Sequence, residues 1–209
     1  MPNKLMKMAQ GEFIAFQDAD DYSDAKRLET QMREFEKDPE LAVCGDAVRP
    51  LVFLFPAAEE VGLLGSIHFV RQHSAEMARV HAVLHVDAGA PPAPPTRWRL
   101  AAGTRSWAGT VAAAVIDARG WSHRADAGSP NSDHWPFVQH GVPAVFLIPD
   151  GGWEGLDEAG AQALRERWDR YHQPDDEWAS DFPFAGLARY ATLARDIAYA
   201  LAATETAAR

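Results

Sequence analysis

Residues 51–66 read Leu51-Val-Phe-Leu-Phe-Pro-Ala-Ala-Glu-Glu-Val-Gly-Leu-Leu-Gly-Ser66, and this stretch decides the fold prediction. The apolar run Leu51–Phe55 is too short to cross a membrane and predicts a strand buried on both faces. Glu59 and Glu60 then lie at the carboxyl end of that strand, where open α/β sheets bind their ligands. Two adjacent carboxylates suit a divalent cation there, although carboxylates also favour ordinary helix starts.

Composition limits the classes of partner. The chain has 209 residues and a formal net charge of -10, which argues against a nucleic-acid partner because such a partner requires a basic face. No apolar run is long enough for a membrane span, and no signal peptide is visible at the N-terminus. Cys44 is the only cysteine, so a metal must be held by Asp, Glu and His. We expect a peptide or small-molecule substrate, no nucleic acid and no membrane, and the oligomeric state and compartment are left open.

Strands alternate with helices after residue 50, which predicts an α/β fold with a sheet flanked by helices in three layers. A second strand, Ala82–Asp87, also ends in a carboxylate. The proline-rich segment Gly89–Thr96 is predicted to be extended and on the surface. Residues 121–131 are predicted to be loop. The remaining predicted elements are a helix at Leu64–His73, a helix at Thr110–Arg119, a strand at Ala144–Ile148, a helix at Asp157–Arg170 and a core-packing helix at Phe184–Ala203.

The first 48 residues have a different character. Gly11-Glu-Phe-Ile-Ala-Phe16 predicts a strand, the acidic turn Gln17–Asp24 follows it, and a helix is expected next. This stretch resembles family-2 glycosyltransferases of the GT-A fold. The resemblance implies that Asp18 and Asp20 bind a divalent ion and a nucleotide-sugar diphosphate, while an ordinary acidic turn is the alternative. We therefore expect residues 1–48 to be a glycosyltransferase-like fragment.

Five motifs downstream share the order of one enzyme family. They are Ala58-Glu-Glu-x-Gly-Leu-x-Gly-Ser66, the strand-end Asp87, Ser132-Asp-His134, Gly141-Val-Pro-Ala144 and Tyr171-His172. Over residues 51–203 the chain resembles the co-catalytic zinc exopeptidases, which include bacterial leucine aminopeptidases, plasma glutamate carboxypeptidase and glutaminyl cyclases. The resemblance implies a zinc aminopeptidase-like domain over residues 49–209.

The same resemblance implies a role for each matching residue. Glu59 matches the general base that takes a proton from a metal-bound water. Glu60 and His172 match ligands of one zinc ion, and Asp87 matches a ligand of a second. Asp133 and His134 match a motif near the substrate cleft, and for them we expect a supporting or substrate-contacting role. For an isolated histidine or strand-end aspartate, the alternative is an ordinary structural residue.

The family also has a segment ahead of the Glu-Glu strand, with a His-x-Asp element and an aspartate that bridges the zinc ions. No histidine precedes His68 in this chain, and glycosyltransferase-like sequence stands in that place. We therefore expect a chimera truncated on the N-terminal side of the peptidase fold, with one zinc ion at most and impaired exopeptidase activity. Asp20 or Asp21 is a candidate replacement for the bridging aspartate. The alternative functions are a glycosyltransferase fragment and a non-catalytic remnant of the fold. The family is often secreted or periplasmic, which leaves the compartment open.

Overall fold

A computed structural model describes residues 49–89, 91–168 and 184–204 together with Arg33, without the side chains of residues 164–168. The chain divides into two compact units, Met1–Pro50 and Leu51–Arg209, and the description below concerns the second. The elements predicted before residue 49 lie outside the described residues, so the domain boundary at residues 48–49 stays a prediction. None of the described helices is both long and apolar enough to cross a membrane.

The second unit alternates strands and helices, as predicted. Three predicted helices are confirmed with small shifts of their ends, and the last one matches at both ends. A short 3₁₀ helix, Met77–Arg79, follows the first helix. The described elements are α1 (Leu64–Gln72), β1 (Val83–His85), β2 (Pro95–Ala101), α2 (Trp107–Asp117), β3 (Ser122–Ala125), α3 (Trp135–Gln139), β4 (Ala144–Trp153), α4 (Glu158–Trp168) and α5 (Phe184–Ala203).

The described strands form one mixed sheet in the order β1-β4-β2-β3. β1 runs parallel to β4, and His85 lies opposite Phe146. β2 runs antiparallel to β4 and parallel to β3. This topology confirms the α/β prediction, and it places the end of β1 beside the first half of β4.

The two faces of the sheet carry different layers, because successive residues of a strand point to opposite sides. Val145 and Leu147 of β4 face the main core, which α2 and α5 complete. Phe146 points to the other face, where it contacts His85. A smaller cluster joins α1 and α3. The main core consists of Trp98, Leu100, Ala108, Ala112, Ile116, Val145, Leu147, Tyr190, Leu193, Ile197 and Leu201.

Two predictions between residues 89 and 131 are wrong. Pro91, Pro92 and Ala93 are buried rather than on the surface. α5 packs directly on them, since a Cβ added at Gly186 would lie 2.6 Å from the carbonyl oxygen of Pro91. β3 occupies a stretch predicted as loop.

The arginine-rich strand β2 was not predicted, because its polar side chains hide the strand pattern. Arg99 pairs with Asp126 at 2.6 Å, and Arg124 of β3 pairs with Asp150 of β4 at 2.8 Å. These ion pairs hold the pKa of both aspartates below its usual range, mainly through the arginine hydrogen bonds. The apolar side chains of β2 point to the opposite face, into the main core.

The strand predicted at Leu51–Phe55 is absent from the structure. This segment takes no part in the described sheet, and four of its five side chains are exposed rather than buried. Val52, Phe53 and Phe55 are 83%, 80% and 88% exposed. A strand buried on both faces needs paired neighbours and a layer on each side, and among the described residues this segment has no strand neighbour.

Candidate active site

The Glu-Glu signature folds into a tight turn at the start of α1. The N–H of Gly65 donates to the carbonyl of Ala57 at 2.9 Å, and the N–H of Leu64 donates to the carbonyl of Ala58 at 3.2 Å. A Cβ added at Gly65 would lie 2.4 Å from the Ala57 oxygen, so only glycine fits there. The buried Ser66 hydroxyl donates to the carbonyl of Leu63 at 3.1 Å. The glycine and serine of the motif therefore shape the turn.

This turn presents the two predicted glutamates at its outer side. The carbonyl of Glu59 accepts hydrogen bonds from the N–H groups of Gly62 (3.1 Å) and Leu63 (2.9 Å). Ala58, directly before the pair, has a φ of 61°, a left-handed conformation that is uncommon for a residue with a side chain. The Glu59 side chain is half-buried and Glu60 is exposed. The pair thus lies between an extended segment and a helix, as predicted, but without the strand.

A second group of polar side chains lies at the end of β1. The ring nitrogen Nε2 of His85 lies 2.8 Å from the Ser132 hydroxyl oxygen. The same nitrogen is 3.9 Å from a carboxylate oxygen of Asp87. The Asp87 side chain is 58% exposed, so its carboxylate is accessible from solvent. β1 thus ends in the largely buried imidazole of His85, and the exposed carboxylate of Asp87 follows two residues later.

Ser132, Asp133 and His134 are buried, at 4%, 6% and 0% exposure. The His134 ring stacks on His85, with ring centres 5.6 Å apart and planes 22° apart, and it also contacts Phe146. Both ring nitrogens of His134 and one carboxylate oxygen of Asp133 have no hydrogen-bond partner within the described structure. Substrate contact by Asp133 and His134 stays a prediction, and their burial favours the supporting role.

Burial favours the neutral form of both stacked imidazoles. Burial lowers the pKa of His134 to about 4, with smaller contributions from His85 and Arg99. Burial also lowers the pKa of His85, although the charges of Asp87 and Asp133 act in the opposite direction. Each neutral ring therefore has one N–H donor and one acceptor nitrogen.

The predicted metal ligands fit zinc in type, and those that the structure describes are not part of a metal-binding group. Glu60 and Asp87 offer carboxylate oxygens, which zinc accepts. Nowhere in the described ranges do three His, Cys, Asp or Glu side chains come close enough to hold a metal ion. His172, the predicted imidazole ligand, lies outside the described residues, as do Asp18, Asp20 and Asp21. No catalytic step through a metal follows from this geometry.

Sequence reasoning missed the contacts of His85 beside Asp87. The alternation of side chains along a strand could have indicated that His85 is near Asp87, because residues 85 and 87 of an extended chain point to the same side. Its contact with Ser132 spans 47 residues of sequence, so only the folded sheet reveals it.

Comparison with known proteins identifies the family. The model of Peptidase family M28 matches residues 40–198, which is most of the chain, and the chain belongs to this family. The model of Glycosyl transferase family 2 matches residues 3–60. Both resemblances found in the sequence are thus confirmed, and the two matches overlap at residues 40–60, which include the Glu-Glu pair. A search of curated proteins gave no significant match.

Two solved structures with TM-scores above 0.5 confirm the aminopeptidase-like fold. The LapA aminopeptidase of Legionella pneumophila is 22% identical with a TM-score of 0.53, over 73% of this chain and 39% of that one. A second LapA structure is 21% identical with a TM-score of 0.52, over 86% and 46%. The zinc aminopeptidase BSAP of Bacillus subtilis is 20% identical with a TM-score of 0.48, over 70% and 33%. The chain therefore spans less than half the length of these proteins.

Proposed function

We propose that this chain carries an aminopeptidase-type exopeptidase site that depends on zinc and is impaired. The observation that supports this most strongly is the family match over residues 40–198, which spans Glu59, Glu60, Asp87 and His172 in the order of the family. The retained turn around the Glu-Glu pair adds local support, because its hydrogen bonds explain the glycine and serine positions of the motif.

In this proposal Glu59 is the general base that takes a proton from the attacking water. Glu60, Asp87 and His172 are the zinc ligands, and a bound zinc ion would supply Lewis-acid polarisation of the scissile carbonyl. Catalytic zinc sites usually have three protein ligands. Of the predicted ligands, the described residues include the two carboxylates of Glu60 and Asp87, which are not grouped with a third ligand. We therefore expect at most one zinc ion per chain and a turnover far below that of a complete site.

The test is zinc content and hydrolysis of chromogenic aminoacyl substrates by the purified full chain. We expect one zinc ion, lost in His172→Ala, and slow hydrolysis that Glu59→Gln abolishes while it keeps the metal. His123→Ala is the control for histidine loss, because His123 lies on β3 and pairs with Asp117. Absence of zinc would overturn the metal assignment. Two zinc ions with rapid turnover would overturn the proposed impairment.

A second candidate function follows from the match of residues 3–60 to Glycosyl transferase family 2. Here Asp18 and Asp20 would bind a divalent ion and a nucleotide-sugar diphosphate, since hard cations bridge carboxylates and phosphates. Titration with a UDP-sugar in the presence of manganese tests this candidate. Binding that is lost in the Asp18→Ala/Asp20→Ala double variant supports it, and no binding rules it out.

A further inference from the structure

Three arginines and two aspartates form a charged cluster on one face of the sheet. The cluster consists of Arg97, Arg99, Arg124, Asp126 and Asp150. Arginine hydrogen bonds hold the pKa of both aspartates low, so both are ionised at neutral pH. Three positive and two negative charges leave one excess positive charge, in a chain whose formal net charge is -10. The proposed zinc and nucleotide-sugar sites do not use this cluster.

Positive and negative groups alternate along the cluster. The Nε atom of Arg99 donates to a carboxylate oxygen of Asp126 at 2.6 Å, and Arg124 lies 3.5 Å from the same oxygen. Arg124 also donates two hydrogen bonds to the carboxylate of Asp150, at 2.8 and 3.0 Å. The Nε atom of Arg97 donates to the backbone carbonyl of Asp150 at 2.8 Å. The series therefore has an arginine at each end, and no carboxylate lies beyond either of them.

A β-bulge in β4 holds one end of the series. Arg97 pairs with Gly151, and Trp98 pairs with Pro149. Asp150 is therefore an extra residue on β4, and such a bulge redirects the side chain and carbonyl that it contains. The guanidinium of Arg97 lies over Gly151, because a Cβ added there would be 2.2 Å from Nη2 of Arg97. The backbone of β4 thus supports the guanidinium of Arg97, while 53% of its side chain is exposed.

The two end arginines point to the same side of β2, because residues 97 and 99 are two apart in a strand. Among the described residues, the hydrogen bonds of Arg97 and Arg99 use only their Nε atoms. Their terminal nitrogens are therefore available to a ligand. A planar guanidinium matches a carboxylate with parallel N–H···O bonds. One carboxylate between Arg97 and Arg99 would balance the excess charge of the cluster.

The cluster shares its face of the sheet with the His85 side chain of the candidate site. Paired residues of neighbouring strands point to the same face, and Arg99 pairs with Ile148 of β4. His85 pairs with Phe146, which lies two residues before Ile148 and therefore points the same way. A ligand held by Arg99 would lie on the face that carries the candidate site.

We propose that Arg97 and Arg99 bind the carboxylate of a short peptide, either its C-terminal group or an acidic side chain. This proposal rests on the proposed function in so far as the peptide is a substrate. A carboxylate fits the cluster better than a phosphate group, because it carries a single negative charge. A phosphate monoester carries about -1.5 to -2 at pH 7 and would leave the cluster negative.

The first test is a titration of the ¹⁵N-arginine-labelled full chain, followed through the Nε–H signals. The probes are N-acetylglycylglycine, N-acetylglutamate α-amide and the neutral N-acetylglycylglycinamide. We expect a carboxylate probe to shift the signals of Arg97 and Arg99, and the neutral probe to leave them unchanged. The tighter of the two carboxylate probes identifies the source of the group. Equal binding of all three probes, or tighter binding of inorganic phosphate, would overturn the proposal.

Variants locate the binding to the end arginines. Arg97→Gln should weaken binding of the carboxylate probe about tenfold, because charge-assisted hydrogen bonds are lost. Arg195→Gln is the matched control, since it removes an exposed arginine that pairs with Asp196 on α5. Equal affinities of the two variants would overturn the assignment to Arg97. The comparison of probes on the wild-type chain does not depend on the folding of either variant.

Peptide hydrolysis separates this proposal from the proposed function. We expect Arg97→Gln to raise the KM for leucylglycine about tenfold more than the KM for leucylglycinamide, which lacks the carboxylate. Equal changes of both KM values would overturn the role in substrate binding. A chain that binds the carboxylate probes and hydrolyses neither peptide would overturn the proposed function and leave the carboxylate site standing.

Discussion

Phe55 and Phe146 belong to two segments that the sequence predicts alike, as apolar strands near the candidate site. Phe146 lies in β4, is 6% exposed and packs against His85 and His134. Phe55 precedes the Glu-Glu pair and is 88% exposed. Both have the same side chain, so the difference lies in their neighbours: β4 has a strand on each side, and Leu51–Phe55 has none in the described sheet. Burial of a strand depends on its partners as much as on its own residues.

The largest expected effect compares these two phenylalanines directly. Phe146→Ala should lower the free energy of unfolding by about 3–5 kcal/mol, because it leaves a cavity beside the stacked imidazoles. Phe55→Ala is the matched control and should change it by about 0.5 kcal/mol or less, since the side chain is already in water. Urea unfolding followed by circular dichroism measures both. Equal losses would mean that Leu51–Phe55 is packed after all.

A glycine substitution tests whether the Glu-Glu turn is folded although the segment before it is exposed. Gly65→Ala should cost about 3 kcal/mol, because the new Cβ would lie 2.4 Å from backbone oxygen. The control is Gly160→Ala in α4, where the nearest atom is the end of the Asp157 side chain at 3.1 Å, and a small gain is expected from helix propensity. Thermal melts of both variants give the result. An unchanged Gly65→Ala melt would contradict the turn geometry.

Acid should lower the free energy of unfolding through the buried imidazole of His134. The pKa of His134 is about 4 in the folded chain, against an ordinary value of 6.5. At a pH between these two values, the unfolded chain therefore binds a proton at this residue that the folded chain does not bind. Stability should therefore fall by about 2 kcal/mol between pH 7 and pH 5 from this residue alone. His134→Phe keeps an aromatic ring but cannot titrate, and its urea midpoint should depend less on pH. The same pH dependence in both proteins would disprove the assignment.

Much of the fold could be predicted because it follows local patterns. The 3.6-residue stripe of α5 gave its exact ends, and the apolar run after Gly141 gave the start of β4. β2 was not predicted, because Arg97 and Arg99 alternate with the buried Trp98 and Leu100. The arginines on one face make the segment look polar in sequence. The Leu51–Phe55 error has a different cause, since its sequence pattern is that of a buried strand and only the sheet partners are lacking among the described residues.

The candidate site was predictable in its motifs but not in its assembly. Glu59, Glu60 and Asp87 could be found because the resemblance ties each to a short sequence signature. Their distances from one another depend on the sheet, which local sequence does not determine. The contact between His85 and Ser132 was not predictable for the same reason.

The central structural claim is that Leu51–Phe55 has no strand partner among the described residues, whereas residues Ala144–Leu147 of β4 are buried. Hydrogen–deuterium exchange of the full chain, read on peptides that cover Leu51–Phe55 and Ala144–Leu147, tests it directly. Unpaired amides exchange almost without protection, whereas core-strand amides approach the global unfolding limit. We expect the first peptide to exchange within the shortest labelling time and the second to stay protected. Equal protection of the two peptides would contradict this account.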